Sequence, residues 1–339
     1  MRPIGPTRPT RPIGPIGPIG PFALGLLLAA ATAHAQPSLI DQLFERHVHV
    51  KSAASPKVLN LLYERKADPQ AQPSSRYRRY APGKGWLGEE PLTGAHRCVA
   101  FLDNALYVFR RDTYSVYRTD DWAAPMIFAA TEGKPTPKSE WRSHAWPLSW
   151  VPESACTIND ALWVFGVETQ AGSARLRAAR LFPKGATATE RGPTLLGKSL
   201  PLSAPASDLA ALAQGTGAMV FWHQDAASGT GNEVWRAGFD GAQWTPPQRV
   251  PVPYANSDYT VADHEGRVWL VCKARGQRLK TTQPLVTLTL TGDTWSQPAQ
   301  VPGALDPRLD WTLDIDAASF DGTLFVFRAC MDRVVAHPA

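Results

Sequence analysis

The sequence predicts an all-β fold assembled from repeats, and three observations predict it. Turn signals are dense and long helical periodicities are few in a chain with 12 Trp and 31 Pro. Short apolar runs end in Asp-Gly, Asn-Asp or Gly-Thr-Gly turns. One apolar and aromatic tetrad also recurs behind such turns: Leu106-Tyr107-Val108-Phe109, Leu162-Trp163-Val164-Phe165, Met219-Val220-Phe221-Trp222, Val268-Trp269-Leu270-Val271 and Leu324-Phe325-Val326-Phe327. The intervals are 56, 57, 49 and 56 residues, the self-similarity of a repeat architecture.

Within one unit the strands follow in order. Asp258 to Ala262 alternates as a first strand, His264-Glu265-Gly266 is a tight turn, and Arg267 to Lys273 is a second strand. A polar loop, Ala274 to Gln283, precedes Leu285 to Leu290, where Leu and Val alternate with Thr as on a half-exposed strand. Thr291-Gly292-Asp293 turns into Trp295-Ser296-Gln297-Pro298. The preceding unit repeats the plan with Val234-Trp235-Arg236, Asp240-Gly241 and Trp244-Thr245-Pro246; Phe182-Pro183-Lys184-Gly185 replaces the outer Trp in the most degenerate copy.

Four-stranded antiparallel units of this length with an aromatic inner hairpin are propeller blades. The last unit, from Asp310 to Ala339, lacks outer strands. Val58 to Tyr63, Tyr77 to Tyr80 and Gly83 to Trp86 read as outer strands lacking an inner hairpin, so joining the two ends would close the ring and remove exposed edges. Five inner hairpins give a five-bladed count. Six is the alternative if residues 38–60 or 130–152 hide another.

The pattern Asp-Gly-x-Leu-aromatic-Val-Phe, followed by Asp-Gly-x-x-Trp-Ser-x-Pro, resembles the sialidase-type and fucose-lectin-like β-propellers over most of Tyr77 to Arg328. The resemblance implies a propeller, and its motifs specify blade structure rather than an activity. A sialidase Asp-box requires Ser-x-Asp-x-Gly-x-x-Trp, and Ala237-Gly238-Phe239-Asp240-Gly241 before Trp244 misses its Ser and Asp positions. The Phe/Tyr-Arg-Ile-Pro motif is also absent, which counts against sialidase activity.

Residues 1–35 read as a secretory signal peptide. Arg2, Arg8 and Arg11 precede the short apolar run Phe22 to Ala33, and Ala33-His34-Ala35 offers a cleavage site. The Ile-Gly-Pro repeats lengthen the leader. Residues 36–339 then form a single propeller domain, soluble and secreted or periplasmic, with no later run long enough to span a membrane. The leader's three arginines account for most of the formal charge, which falls from +5 to +2 without them, so nucleic acid is not an expected partner.

Four cysteines in an exported chain suggest disulfides. Cys98 and Cys156 are 58 residues apart, as are Cys272 and Cys330, which favours those two pairs over four buried thiols. Gly192 to Ser199 matches the P-loop letter by letter, but Pro201 opposes the helix that phosphate binding needs, so the match is coincidental. His47-Val48-His49 has a metal-ligand spacing without an identifiable third ligand and reads as a solvated strand face. Gly-x-Ser-x-Gly, His-Glu-x-x-His and Cys-x-x-Cys are absent, and no cofactor is expected.

Function gathers where the first strands of all blades begin, at one mouth of the channel. The equivalent starts are His96-Arg97, Glu153, Ser207-Asp208, Asp258-Tyr259 and Asp310 to Asp314. Asp258 and Asp314 stand eight residues before Gly266 and Gly322, and Asp208 nine before Gly217. Loops after the second strands would bring Arg111, Asp112, His223, Asp225, Lys273 and Arg275 to the same face. Arg97, Asp208, Asp258, Tyr259 and Asp314 are therefore the ligand-binding candidates. The favoured reading is binding of glycans or another cell-surface ligand without catalysis. Glycoside hydrolysis by two of Asp208, Asp258 and Asp314 is the second, with Arg97 orienting the substrate and Tyr259 hydrogen-bonding. A protein-interaction scaffold is third. Equally, any one of these acids could simply satisfy strand-start amides.

Overall fold

The computed structural model describes residues 38–42, 46–66, 72–92, 94–119, 122, 140–181, 192–226, 231–253, 257–274, 285–301, 312–330 and 333–338. The expected leader, Asp310, Arg275 and the Phe182 to Gly185 segment lie outside them.

Strand β1 (Ser38–Gln42) precedes the first blade, β2 (Arg46–Ala54), β3 (Leu59–Lys66), β4 (Ser74–Ala81) and β5 (Gly85–Leu92). The second blade is β6 (Cys98–Leu102), β7 (Ala105–Phe109), β8 (Thr113–Arg118) and β9 (Glu140–Ala145). The third is β10 (Ser154–Ile158), β11 (Ala161–Gln170), β12 (Ser173–Leu181) and β13 (Thr194–Pro201). The fourth is β14 (Ala206–Gln214), β15 (Gly217–Asp225), β16 (Asn232–Phe239) and β17 (Gln248–Arg249). In the fifth, β18 (Ser257–His264), β19 (Arg267–Ala274), β20 (Val286–Thr291) and β21 (Thr294–Trp295) pair in order, with β22 (Ala299–Gln300) also on β20. The sixth is β23 (Thr312–Phe320), β24 (Thr323–Cys330) and β25 (Arg333–Pro338), completed by β1, which pairs antiparallel with β25.

The fold is thus a six-bladed β-propeller, the alternative count. The extra blade comes from within residues 38–60: β2 and β3 supply the inner hairpin that the sequence reading denied to Val58 to Tyr63. Its turn hid it. Ser55-Pro56-Lys57-Val58 carries no Asn-Gly or Asp-Gly signal and is held instead by Ser55 Oγ, which donates to Val58 O at 2.8 Å and accepts from Val58 N at 3.0 Å. The last blade is closed by β1 alone, not by the Tyr77 to Trp86 strands. Residues 140–145 provide only the outer strand of the second blade.

Four of the five recurrent turns have a common cause. Asp103-Asn104, Asn159-Asp160, Glu265-Gly266 and Asp321-Gly322 all have positive φ at both positions, as two-residue type I′ hairpins require. The tetrads behind them are continuous rather than alternating because both faces of each sheet are covered. Leu106 and Val108 face the first blade, while Tyr107 and Phe109 face the third. Leu162 and Val164 pack toward the second blade, Trp163 and Phe165 toward the fourth. Met219 and Phe221 meet Tyr259, Leu270 and Leu288 of the fifth blade. Ala262 and Val271 meet Leu324 and Val326, and Phe327 and Ala329 meet Leu59, Leu61 and Tyr63, closing the circle.

No disulfide joins the four cysteines, which corrects the expected pairing. Cys98 packs between the second and third blades, while Cys156 packs between the third and fourth. The third sheet therefore stands between them. Cys272 belongs to the fourth–fifth layer and Cys330 packs on Val335. Their common spacing of 58 residues lies within two of the repeat interval they span. The P-loop-like segment lies on β13, an outer strand with no helix after it. No helix among the described residues is long and apolar enough to cross a membrane.

Two outcomes follow from this packing. Reducing agent leaves the thermal midpoint unchanged. Gly166→Ala lowers stability by about 1–3 kcal/mol in urea melts, since the added Cβ would lie 2.2 Å from Val151 O and 2.4 Å from the Trp150 ring.

Candidate functional site

Successive first strands touch in a closed ring, β2, β6, β10, β14, β18 and β23. At their starts they enclose a cavity of about 620 Å³ to which all six blades contribute. All five residues singled out in the sequence line it: Arg97, Asp208, Asp258, Tyr259 and Asp314. His223 and Lys273, from β15 and β19, complete their surroundings. Arg111, Asp112 and Asp225 are not among the lining residues.

A first strand is the free edge of its sheet, and its amides need partners from the neighbouring blade. Asp314 and Asp316 serve β2 in this way. Val50 N donates to Asp314 Oδ2 at 3.0 Å, and Ser52 donates to Asp316 Oδ2 through its amide and, at 2.6 Å, through Oγ. Thr260 Oγ1 donates to the other Asp316 oxygen at 3.0 Å. For these two acids, satisfaction of strand amides is a demonstrated role. Asp314 also lies 3.5 Å from His49 Nδ1. Burial pushes the Asp314 carboxyl up, but Lys51, His49 and the Val50 amide together hold it below the ordinary value. Burial likewise pulls Lys51 down, and the charges of Asp314, Asp316 and Asp208 outweigh it. His49 is raised by its bond with Asp314.

A second buried pair sits beside this one. His96 N donates to Glu64 Oε1 at 2.8 Å, and the His96 ring lies 3.4 Å from the same oxygen. That separation suggests an ion pair, yet burial pushes the imidazole down to about 3, so His96 is neutral here. Burial also pushes Glu64 up.

The remaining carboxylates differ sharply. Asp258 is held by Lys273 Nζ at 2.5 Å, with both side chains mostly buried. Asp208 keeps 47% of its side-chain surface exposed and accepts a hydrogen bond from His223 at 3.0 Å, between Oδ2 and Nδ1. Tyr259 is buried behind it, with its hydroxyl donating to Asp208 O at 2.6 Å. Glu153 feels the charges of both Arg97 and Asp208. Burial pushes its carboxyl up to about 7; the Asp208 charge adds to the rise, while Arg97 and the Leu209 amide oppose it. Arg97 itself is exposed at the mouth.

His49, Lys51, Glu64 and Asp316 were not anticipated, and Glu153 was visible only as a strand start. Asp316 could have been found from Asp314, because residues two apart on a strand share a face. The His47-Val48-His49 spacing is broken by a register shift between the two histidines. Among the described residues no group of three or more His, Cys, Asp or Glu could hold a metal ion.

Six blades around a mouth of unlike polar residues define a β-propeller with one central site. No protein-family model matches the chain, and no curated protein matches it. Among solved structures it is similar to the phage phi92 endosialidase, with a TM-score of 0.58 at 10% identity over 89% of this chain and 68% of that one. A Bombyx mori GH32 beta-fructofuranosidase in complex with sucrose gives 0.47 at 10% identity, covering 85% and 70%. A GH43_1 enzyme from Xanthomonas citri gives 0.42 at 12%, covering 90% and 91%. At these identities the likeness to the endosialidase is one of fold.

The buried groups fix a pH dependence. The unfolded chain protonates His96 near the free value while the folded chain does not, so stability is lost as pH falls below about 6.5. Glu153 acts oppositely: its folded form holds a proton that the unfolded form releases, so stability is lost as pH rises through about 7. Between about pH 4.5 and 6.5 the two dependences oppose each other, and below about 4.5 only the His96 loss remains, so thermal midpoints should fall there. His96→Gln should flatten that acidic fall, and Glu153→Gln should leave the His96 dependence unopposed up to about pH 6.5.

Proposed function

We propose that the mouth binds a glycan and hydrolyses a glycosidic bond, with Glu153 as proton donor and Asp208 as the base that activates water. The protein does so outside the cytoplasm, as a secreted or periplasmic enzyme. The observation that carries this reading is the unlike pair at the centre of the site. One carboxyl is pushed up to about 7 and keeps its proton near neutrality, next to an exposed carboxylate. A carboxyl that keeps its proton beside an exposed carboxylate is the pairing that acid–base cleavage of a glycoside uses. In the step, the Glu153 proton passes to the leaving oxygen as its bond to the anomeric carbon breaks. Water attacks that carbon and gives a proton to Asp208. Arg97 and Lys51 are donors to substrate hydroxyls.

Two further observations support catalysis over binding alone. A lectin repeats its ligand contacts from blade to blade, but the repeated aromatics Tyr107, Trp163 and Phe221 are buried between blades and offer no sugar a face. The mouth residues repeat only in part: blades four to six each contribute an aspartate, Asp208, Asp258 and Asp314, whereas Lys51, Arg97 and Glu153 have no counterpart in the other blades. The fold neighbour from phage phi92 is by name an endosialidase. Sialic acid is not the favoured substrate here, since Arg97 is the sole arginine among the described lining residues. The Tyr259 hydroxyl is also committed to Asp208.

Release of reducing sugar and of aryl alcohol should be measured over a panel of glycans and aryl glycosides. The wild type should turn over at least one. Glu153→Gln and Asp208→Asn should each lower kcat by about 10²–10⁴-fold with little change in KM. Binding on a glycan array with no turnover would instead restore the non-catalytic reading.

A further inference from the structure

Strand β14 is irregular where it carries Asp208. Ser207 opposes His223 and Ala210 opposes Phe221, so Asp208 and Leu209 together face Trp222 across a β-bulge. Asp208 has φ of 54°, in the left-handed region that costs a non-glycine residue energy. The other non-glycine residues of positive φ among those described lie in hairpin turns, so this one is unusual in standing on a strand.

The bulge is held from three sides. Blade three receives its amides: Leu209 N–H donates to the Glu153 carboxyl, and Ala211 N donates to Ser154 Oγ at 2.8 Å. Blade four holds the Asp208 carboxylate through His223. Blade five holds the Asp208 carbonyl through the Tyr259 hydroxyl at 2.6 Å. The Tyr259 ring, 8% exposed, packs edge-on against His223 with centroids 4.8 Å apart. One residue of rotated backbone thus aims a carboxylate at the mouth and an amide at Glu153, and a neighbouring blade fastens it.

We propose that Tyr259 is a positioning residue that locks the Asp208–Leu209 bulge, fixing the Asp208 carboxylate and the Glu153 carboxyl relative to each other. It touches neither substrate nor reacting atoms and acts through the carbonyl of Asp208. The proposal rests on the hydrolase reading for its catalytic consequence, but its structural part stands apart from that reading.

The variant is Tyr259→Phe, which removes the hydroxyl and leaves the ring in place against Phe221 and His223. Hydrogen exchange followed by NMR at the Leu209 amide reads the bulge without any need for turnover. Exchange at Leu209 should accelerate at least 10-fold, while the ladder amides of Leu212 and Gln214 stay unchanged. On any substrate the wild type cleaves, kcat should fall about 10-fold at unchanged KM. Unchanged exchange at Leu209 would overturn the proposal, as would equal acceleration along all of β14, the mark of a merely structural loss. Faster exchange at Leu209 in a protein that cleaves no glycan would support the lock while removing the hydrolase reading.

Discussion

A four-stranded sheet that is apolar on both faces cannot stand alone in water, and everything else in this structure follows from that constraint. Each sheet buries one face against the blade before it and the other against the blade after it. Single residues of a tetrad therefore report to alternate neighbours: Trp163 to the fourth blade, Val164 to the second. Truncating one such aromatic costs about 3–5 kcal/mol where the site cannot collapse, comparable to a large share of the whole stability of a domain. An open row of sheets would leave one such layer uncovered at each end. Closure by β1 on β25, bringing Phe327 and Ala329 against Leu59 and Tyr63, is thus required rather than incidental.

Closing the ring creates the site as a by-product. It turns six sheet edges toward one axis, and those edges carry amides with no strand beside them. Polar side chains from adjacent blades must answer them, which concentrates carboxylates where backbone is barest. Asp314 and Asp316 are used up in this task, and Glu64 is used by the His96 amide. Glu153 does the same for Leu209 but remains close to Asp208 and Arg97, so its environment is one of competing charges. Structural need and chemical opportunity share the same residues.

The sequence made the blades legible wherever a type I′ turn preceded a tetrad, because φ > 0 at both turn positions restricts composition strongly. It concealed the first blade, where Ser55 replaces turn chemistry with its own hydroxyl. Cysteine spacing misled for a related reason: in a repeat protein, equal intervals recur whether or not a bond exists. At the mouth, counting from the turn glycines put Asp208, Asp258 and Asp314 on the lining of the cavity, where the equivalent strand start also puts Arg97. The count of nine for Asp208 arises because Gly217 stands one place beyond its turn pair, whereas Gly266 and Gly322 are the second members of theirs. What no count could supply was the proton affinity of Glu153, which depends on burial and on charges from blades two and four.

The pairing of β1 with β25 also has a mechanical side. Ser38 stands opposite Ala336 and Gln42 opposite Arg333, so the outer ends of the two strands lie together. Tension applied through Ser38 and Pro338 would load the ladder from that single end, peeling its hydrogen bonds one after another instead of shearing them at once. The seam that makes the ring complete is therefore its weakest line under load. A pull on the two ends would open the sixth blade first, before the type I′ hairpins of the other blades carry any force.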